Sequence, residues 1–296
     1  MSKTRRKRTG PKPPASAHSP ARACPAEIWG CICSLACVDD GSTGRSLSRV
    51  SKYINEASKP YKYQCLSVKS HQLRPLTTVL RKLPPESRRV IHLFLSSKEW
   101  DSGHIRPAEF FQTDKNRLLI VVAPTLKSLE ICCHFHRLYL PFVMPALIDL
   151  TMHGYPNDEP LSATVTCYPA LRRLNYVWSM RTYLDGPNII SFLKVAAPNL
   201  SALRLSMFYT AASLALVGTL PLEKVLFQFY PRAPRTQTPL QNKAGRDVRF
   251  ILLKTPLTFR SNSFMAVAVK NRWTEVCAGH ADHWNPAEDE IDAQRS

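Results

Sequence analysis

Residues 198–205 read Pro198-Asn-Leu200-Ser-Ala-Leu203-Arg-Leu205, and this spacing of apolar residues decides the fold. The same L-x-x-L-x-L spacing occurs six times in the chain. Its apolar positions are Val90/Leu93/Leu95, Leu126/Leu129/Ile131, Leu147/Leu150/Met152, Leu171/Leu174/Tyr176, Leu200/Leu203/Leu205 and Leu222/Val225/Phe227. The end of each unit alternates between apolar and other residues, as a β-strand with one buried face requires. We therefore predict a short strand in each unit.

The spacing between the six units indicates how the strands are connected. Successive units start 36, 21, 24, 29 and 22 residues apart, and helix-compatible stretches such as 188–196 lie between them. A proline precedes five units, where a missing amide donor costs a strand least: Pro124, Pro145, Pro169, Pro198 and Pro221. One strand and one return helix per unit resembles an irregular leucine-rich-repeat stack over residues 71–230. A plain α/β domain whose strand starts share this pattern is the alternative.

In such a stack, the side chains between the buried ones line a concave sheet face. This row is chemically mixed, with charges of both signs, which suits recognition of a protein surface rather than tracking of phosphates. We predict that a target protein contacts Glu130, Asp149, His153, Arg173, Asn175, Arg204 and Lys224.

A separate helical module is predicted at residues 23–70. Apolar residues recur at helical spacing from Ile28 through Ile32 to Leu35, and the turn-forming residues 39–44 end this helix. A second apolar stripe starts at Leu47, and Pro60 limits the short helix that follows. Three short amphipathic helices cannot build a large core alone, so the module should dock onto something.

The helical module resembles an F-box. The residues that carry the resemblance are Pro25-Ala-Glu27-Ile28-Trp29-Gly-Cys-Ile32-Cys-Ser-Leu35-Ala36 and Leu47-Ser-Arg-Val50-Ser-Lys-Tyr53, and 36–47 resembles the form common in basidiomycete fungi. Two residues depart from the motif: Cys24 replaces its opening Leu, and Gly30 interrupts the first helix. The resemblance implies binding to a Skp-family adaptor in a cullin complex through Pro25, Ile28, Trp29, Ile32, Leu35, Leu47, Val50 and Tyr53.

The charge of the chain is unevenly distributed. Of 40 Lys and Arg residues, seven lie in residues 1–22, which contain no acid; the other 274 residues carry 33 against 22 Asp and Glu. Residues 1–22 are predicted to be a disordered basic arm, either an import signal or a nucleic-acid-binding arm or simply a solvated tail. Nucleic acid is otherwise not an expected partner.

Other features of the composition bear on localisation. The longest apolar run, 138–148, is too short for a membrane helix and is broken by two prolines. The nine cysteines, an odd number, lie mostly in apolar segments and are interpreted as reduced thiols. We expect a cytoplasmic or nuclear protein that does not bind membranes.

Catalytic and metal-binding motifs are weak. The stretch 132–136 (Cys-Cys-His-Phe-His) and the group Cys277, His280 and His283 lack the paired spacing of structural zinc sites. Asp101-Ser-Gly103 has no second copy, which an aspartic protease needs, and no nucleotide-binding glycine motif occurs. The expectation is a non-enzymatic protein with no metal and no cofactor.

The C-terminal region is assigned last. Residues 231–285 are predicted to form a loop, a strand near 248–253 and a terminal helix with Met265, Val269 and Trp273 on its apolar face; 286–296 form an acidic tail. This helix would cap the end of the stack. The resemblance of residues 23–70 to an F-box implies that the whole chain is a non-catalytic substrate-recognition adaptor of a Skp/cullin/RING ubiquitin ligase. Two alternatives stay open: a repeat-type scaffold outside any ligase, and a nuclear, nucleic-acid-associated protein.

Overall fold

The protein has an α/β fold built on one eight-stranded parallel sheet. A computed structural model describes residues 24–97, 108–136, 143–156, 168–177, 193–206, 217–228, 247–253, 262–280, 282 and 284–286. The α-helices are α1 Ala26–Ala36, α2 Ser42–Leu47, α3 Lys52–Ser58, α4 Leu73–Lys82, α5 Ala108–Val122 and α6 Asn262–Cys277. The strands are β1 Cys65–Lys69, β2 His92–Ser96, β3 Ser128–His136, β4 Asp149–Pro156, β5 Arg173–Val177, β6 Ala202–Ser206, β7 Lys224–Gln228 and β8 Phe250–Leu253. Two 3-10 turns lie at Ser70–Gln72 and Pro85–Arg88.

The strands are hydrogen-bonded in their sequence order, from β1 to β8, and every pair is parallel. A strand lies at each of the six predicted units and at the predicted 248–253 segment. Pairing brings equivalent positions into line, so one apolar ladder runs through Leu66, Leu93, Leu129, Leu150, Leu174, Leu203, Val225 and Phe250. The strand β1 was not predicted, and it lies inside the range 23–70 that was expected to be helical.

The starts of β2 to β7 are fixed by the same hydrogen-bond arrangement. One carbonyl oxygen accepts from two successive amides of the next unit, as when Ile91 O accepts from the amides of Lys127 and Ser128 at 2.9 and 3.0 Å. The acceptor carbonyls of the six repetitions belong to Gln64, Ile91, Lys127, Ile148, Arg172 and Ser201. Because the arrangement recurs unchanged, units of different length still enter the sheet in one register.

The main core lies on one side of the sheet. It contains the apolar ladder residues together with Leu73 and Leu80 of α4 and Leu118, Leu119 and Val122 of α5. The leading apolar residue of each predicted unit is also buried there: Val90, Leu126, Leu147, Leu171, Leu200 and Leu222. Each Å² of buried apolar surface stabilises the folded state by about 25 cal/mol. This continuous apolar layer is therefore the main source of stability.

The N-terminal helices form a separate small unit against the first strand. The second apolar stripe, predicted from Leu47, does not form one helix: Leu47 ends α2, and Ser51 starts α3 by accepting from the Ile54 amide at 3.2 Å. The chain turns into α2 at Gly41, whose φ of 90° favours glycine. α1 packs against α3, so the unit is held by Ile54, Cys33 and Cys37.

The helix α6 does not take the position predicted for it. Its described contacts are with the first strands of the sheet, where Trp273 packs on Phe94 with 5.5 Å between ring centroids. Lys270 Nζ also donates to Asp40 Oδ2 at 2.8 Å, which ties the helix to the α1–α2 turn. The helix thus covers the N-terminal strands instead of capping the end beyond β8. None of the helices described here is long and apolar enough to cross a membrane.

Several predicted segments lie outside the described residues. These are the basic arm at 1–22, the Asp101-Ser-Gly103 stretch, the loop at 231–246 and nearly all of the acidic tail. Only 193–196 of the helix-compatible stretch 188–196 is described, and it is helical.

Candidate functional site

Large apolar side chains of α1 point into solvent. Ile28, Ile32 and Leu35 are 50%, 44% and 76% exposed, and their spacing of four and three residues puts them on one helix face. We call these three residues the apolar ridge. Val50, between α2 and α3, is a further exposed apolar residue of the same helical unit, at 67%. Apolar side chains that share one exposed helix face make this surface a candidate interaction site.

The ridge faces outward because the inward face of α1 carries small residues. Gly30 and Cys33 are buried, and a Cβ on Gly30 would lie 3.3 Å from the Tyr61 hydroxyl oxygen. Gln64 Nε2 donates to Ser34 O at 3.0 Å and fixes the end of the helix to the start of β1. These contacts pack the inner face of α1, and about half of Ile28 and Ile32 and most of Leu35 stay accessible to solvent.

The other predicted adaptor-binding residues are less exposed. Pro25 is exposed, whereas Trp29, Leu47 and Tyr53 are half-buried. Tyr53 donates its hydroxyl hydrogen to Cys24 O at 2.7 Å, which fixes the chain just before α1. These half-buried residues therefore serve the unit itself, while the exposed surface is aliphatic.

The turn between α1 and α2 is organised by one carboxylate. Asp39 accepts from the amides of Gly41 and Thr43, both at 2.9 Å, and from the hydroxyls of Ser42 and Thr43 at 2.6 and 2.7 Å. Burial alone would raise the pKa of Asp39, but these hydrogen bonds outweigh it and lower the pKa below its usual value. The pKa of neighbouring Asp40 is also lowered, chiefly by the hydrogen bond from Lys270.

Replacing Asp39 by alanine should lower the free energy of unfolding by about 1–2 kcal/mol at pH 7, because the turn loses hydrogen bonds to a charged acceptor. Because the folded-state pKa is lowered, the stabilisation is present above the unfolded-state pKa and is lost as pH falls through the folded one. Urea unfolding at pH 7 and pH 3 measures this. Asp39→Asn, which keeps a hydrogen-bond acceptor, is the control and should lower the free energy of unfolding by less. Equal effects of Asp39→Ala at both pH values would contradict the assignment.

The predicted target-binding row lies on a sheet face that is mostly covered. Trp273 forms a second apolar cluster with Cys65, Phe94 and Cys132, and Trp284 forms a third with Ala202, Leu226 and Leu253. Lys224 Nζ donates to Trp284 O at 2.7 Å and to Asn285 Oδ1 at 2.9 Å. The C-terminal segment thus packs on both ends of this face.

This cover corrects the prediction of an open contact surface. Four of the seven predicted target-binding residues are nearly inaccessible: Glu130, His153, Asn175 and Arg204, each at 5–6% exposure. Arg204 Nη2 donates to Gln228 Oε1 at 3.2 Å within the face. Alternation along a strand placed these residues on the right face, but it carries no information about a cover.

Asp149 and Arg173 remain partly exposed at the starts of β4 and β5. They form a two-point ion pair, in which Arg173 Nη2 donates to Asp149 Oδ2 at 2.7 Å and Nε to Oδ1. The carboxylate raises the pKa of Arg173 above its usual value. Of the seven predicted residues, these two and Lys224 are the ones that a partner could reach.

Two thiols meet where the end of α6 reaches β1. Cys277 packs against the cluster that contains buried Cys65. Hydrogen bonding from the Cys65 thiol, followed by an interaction with His92, lowers the pKa of Cys277, although burial opposes this shift. The pKa of Cys65 is raised, first by this same bond and then by burial.

A cluster of possible metal ligands was missed by the sequence reasoning. Glu130 and Cys132 of β3 and His153 of β4 are all buried, with ligand atoms within 4.8 Å of one another. The sequence motif considered for a metal, 132–136, contributes only Cys132 to it; the side chains of 133–136 lie outside those described. The usable signal was the pairing of strands, which sets Cys132 directly opposite His153.

Comparison with models of known protein families gives no match, and no curated protein matches the sequence significantly.

Proposed function

We propose that the protein is a non-catalytic substrate-recognition adaptor, in which the N-terminal helices are an F-box that binds a Skp-family adaptor. The observation that carries the proposal is the apolar ridge of Ile28, Ile32 and Leu35, exposed on a helix whose inner face is already packed. Burying three such side chains in a partner would contribute several kcal/mol, at about 1.5–3 kcal/mol for each full burial.

The sheet domain is proposed to be an irregular leucine-rich-repeat-like solenoid. Support comes from the sequence order of its parallel strands and from the six repetitions of the same hydrogen-bond arrangement at the strand starts. In a solenoid each unit contacts its neighbours, and such a scaffold offers a long surface for a protein partner.

The target protein is proposed to bind the remaining accessible part of this domain. The partly exposed Asp149–Arg173 pair lies at the strand starts and offers both charges to a partner. By holding a target beside the ligase, the protein would act through proximity, since tethering raises the effective concentration of the target.

Binding of a purified Skp-family adaptor tests the proposal. Ile32→Asp should raise the dissociation constant by about 30-fold or more, because it places a carboxylate in the middle of the apolar contact. Val79→Asp is the matched control: Val79 is 45% exposed on α4, outside the ridge, and its replacement should leave binding unchanged. Calorimetric titration of the full chain measures both.

Two outcomes would overturn the F-box assignment. One is the absence of binding by the wild-type chain, which would favour a repeat scaffold outside any ligase. The other is equal binding by wild type and Ile32→Asp, which would place the contact elsewhere. Because Ile32 is exposed, its replacement should change the unfolding free energy by no more than about 0.5 kcal/mol.

A further inference from the structure

The cluster of Glu130, Cys132 and His153 combines three different ligand types on two adjacent strands. Glu130 and Cys132 are two residues apart on β3, so their side chains share one face, and His153 stands opposite Cys132 on β4. His153 Nε2 and Glu130 Oε1 share a hydrogen bond of 2.7 Å. The pairing of β3 and β4 thus converges three ligand groups on one point.

The second nitrogen of the imidazole has no described use. His153 Nδ1 is buried, and it has no hydrogen-bond partner in the described part of the chain. Because Nε2 faces Glu130, Nε2 is the nitrogen through which the 6% exposed imidazole can join the cluster as a ligand. Nδ1 then carries the ring proton.

The chemistry of the three groups suits zinc. Thiolate, imidazole and carboxylate are the three ligand types that bind Zn²⁺ in proteins, at about 2.0–2.3 Å. The thiolate and the carboxylate would balance the two charges of the ion, so that the buried site is neutral. Ligand atoms within 4.8 Å of one another need only small movements to reach tetrahedral geometry, including a widening of the Glu130–His153 contact by roughly half an ångström.

We propose that Glu130, Cys132 and His153 form a zinc site that fastens β3 to β4 beneath the C-terminal helix. The ion lies next to the irregularity where the register of the two strands shifts, between Cys132 and Phe135. On binding, the Cys132 thiol releases its proton to solvent and its sulfur bonds to the metal. A fourth position remains for water or another ligand.

The metal content of the untagged full chain tests the site. The protein is incubated with zinc sulfate, freed of excess metal by gel filtration and measured by elemental mass spectrometry. We expect about one zinc per chain in the wild type, and background levels in Cys132→Ser and His153→Gln. Cys37→Ala, which removes a buried thiol of the helical unit, is the matched control and should keep the metal.

A spectroscopic measurement on the wild type keeps the test independent of variant folding. Cobalt(II) in place of zinc should give a thiolate-to-cobalt charge-transfer band and the intense visible bands of a four-coordinate ion. Wild-type protein that retains no zinc overturns the proposal. Retention of zinc by Cys132→Ser and His153→Gln, or a cobalt spectrum without the thiolate band, also overturns it, since the metal would then lie elsewhere.

Discussion

Trp273→Ala should lower the free energy of unfolding by about 3–5 kcal/mol, the usual range for removing a buried tryptophan. The indole is only 2% exposed and fills the space over Phe94, Cys65 and Cys132. Its removal leaves a cavity between α6 and the sheet that the rigid strands cannot close. Urea unfolding followed by circular dichroism measures the loss.

Trp273→Phe is the control for this prediction. It keeps an aromatic ring over Phe94 and removes an indole N–H that has no hydrogen-bond partner in the described residues. The expected loss is below about 1.5 kcal/mol. The prediction fails if Trp273→Ala lowers the free energy of unfolding by less than Trp273→Phe does, or by less than about 1 kcal/mol. In that case α6 would not be an integral part of the fold.

Gly44→Ala should be the second most damaging substitution, at about 3 kcal/mol. A Cβ at this position in α2 would lie 2.6 Å from Lys62 O and 3.0 Å from Lys62 Cα. Both are backbone atoms, so no rotation of a side chain relieves the overlap. Alanine gains up to about 1 kcal/mol of helix propensity over glycine, which is too little to offset the clash.

Gly30→Ala separates this clash from the general effect of adding a methyl group. Gly30 is also a buried helical glycine of the same unit, but its nearest contact would be the tip of the Tyr61 side chain at 3.3 Å. We expect unchanged or slightly increased stability. The midpoints of urea unfolding of the two variants and the wild type decide the matter, and equal midpoints would contradict the close packing of α2 on the turn at residue 62.

The sheet was largely predictable from the sequence because its stabilising residues are local. Each unit carries its own buried positions, and the strands appear at all six predicted places. The missed β1 has the same spacing, with Tyr63, Leu66 and Val68 in the three positions. This unit was not recognised in the sequence because its first residue is aromatic and because it follows directly on the helical pattern.

The covered face could not be predicted in the same way. Strand alternation assigns residues to two faces, but the cover comes from Trp273 and Trp284, far away in the sequence. One signal was available in the sequence. The row predicted to line the concave face includes the apolar residues Phe94, Val177 and Ala202, and parallel sheets are usually buried on both faces. The cluster of metal ligands was not predicted for a similar reason: its residues come together only through the pairing of β3 with β4.

The late position of α6 in the chain has a consequence during protein synthesis. Each strand can join the previous one soon after leaving the ribosome, whereas the bond of Lys270 with Asp40 spans 230 positions. Until α6 emerges, Phe94 and Cys132 stay uncovered on the nascent sheet. Exposed apolar surface of this kind favours aggregation. A message truncated before codon 262 should therefore yield chains that aggregate unless chaperones bind them.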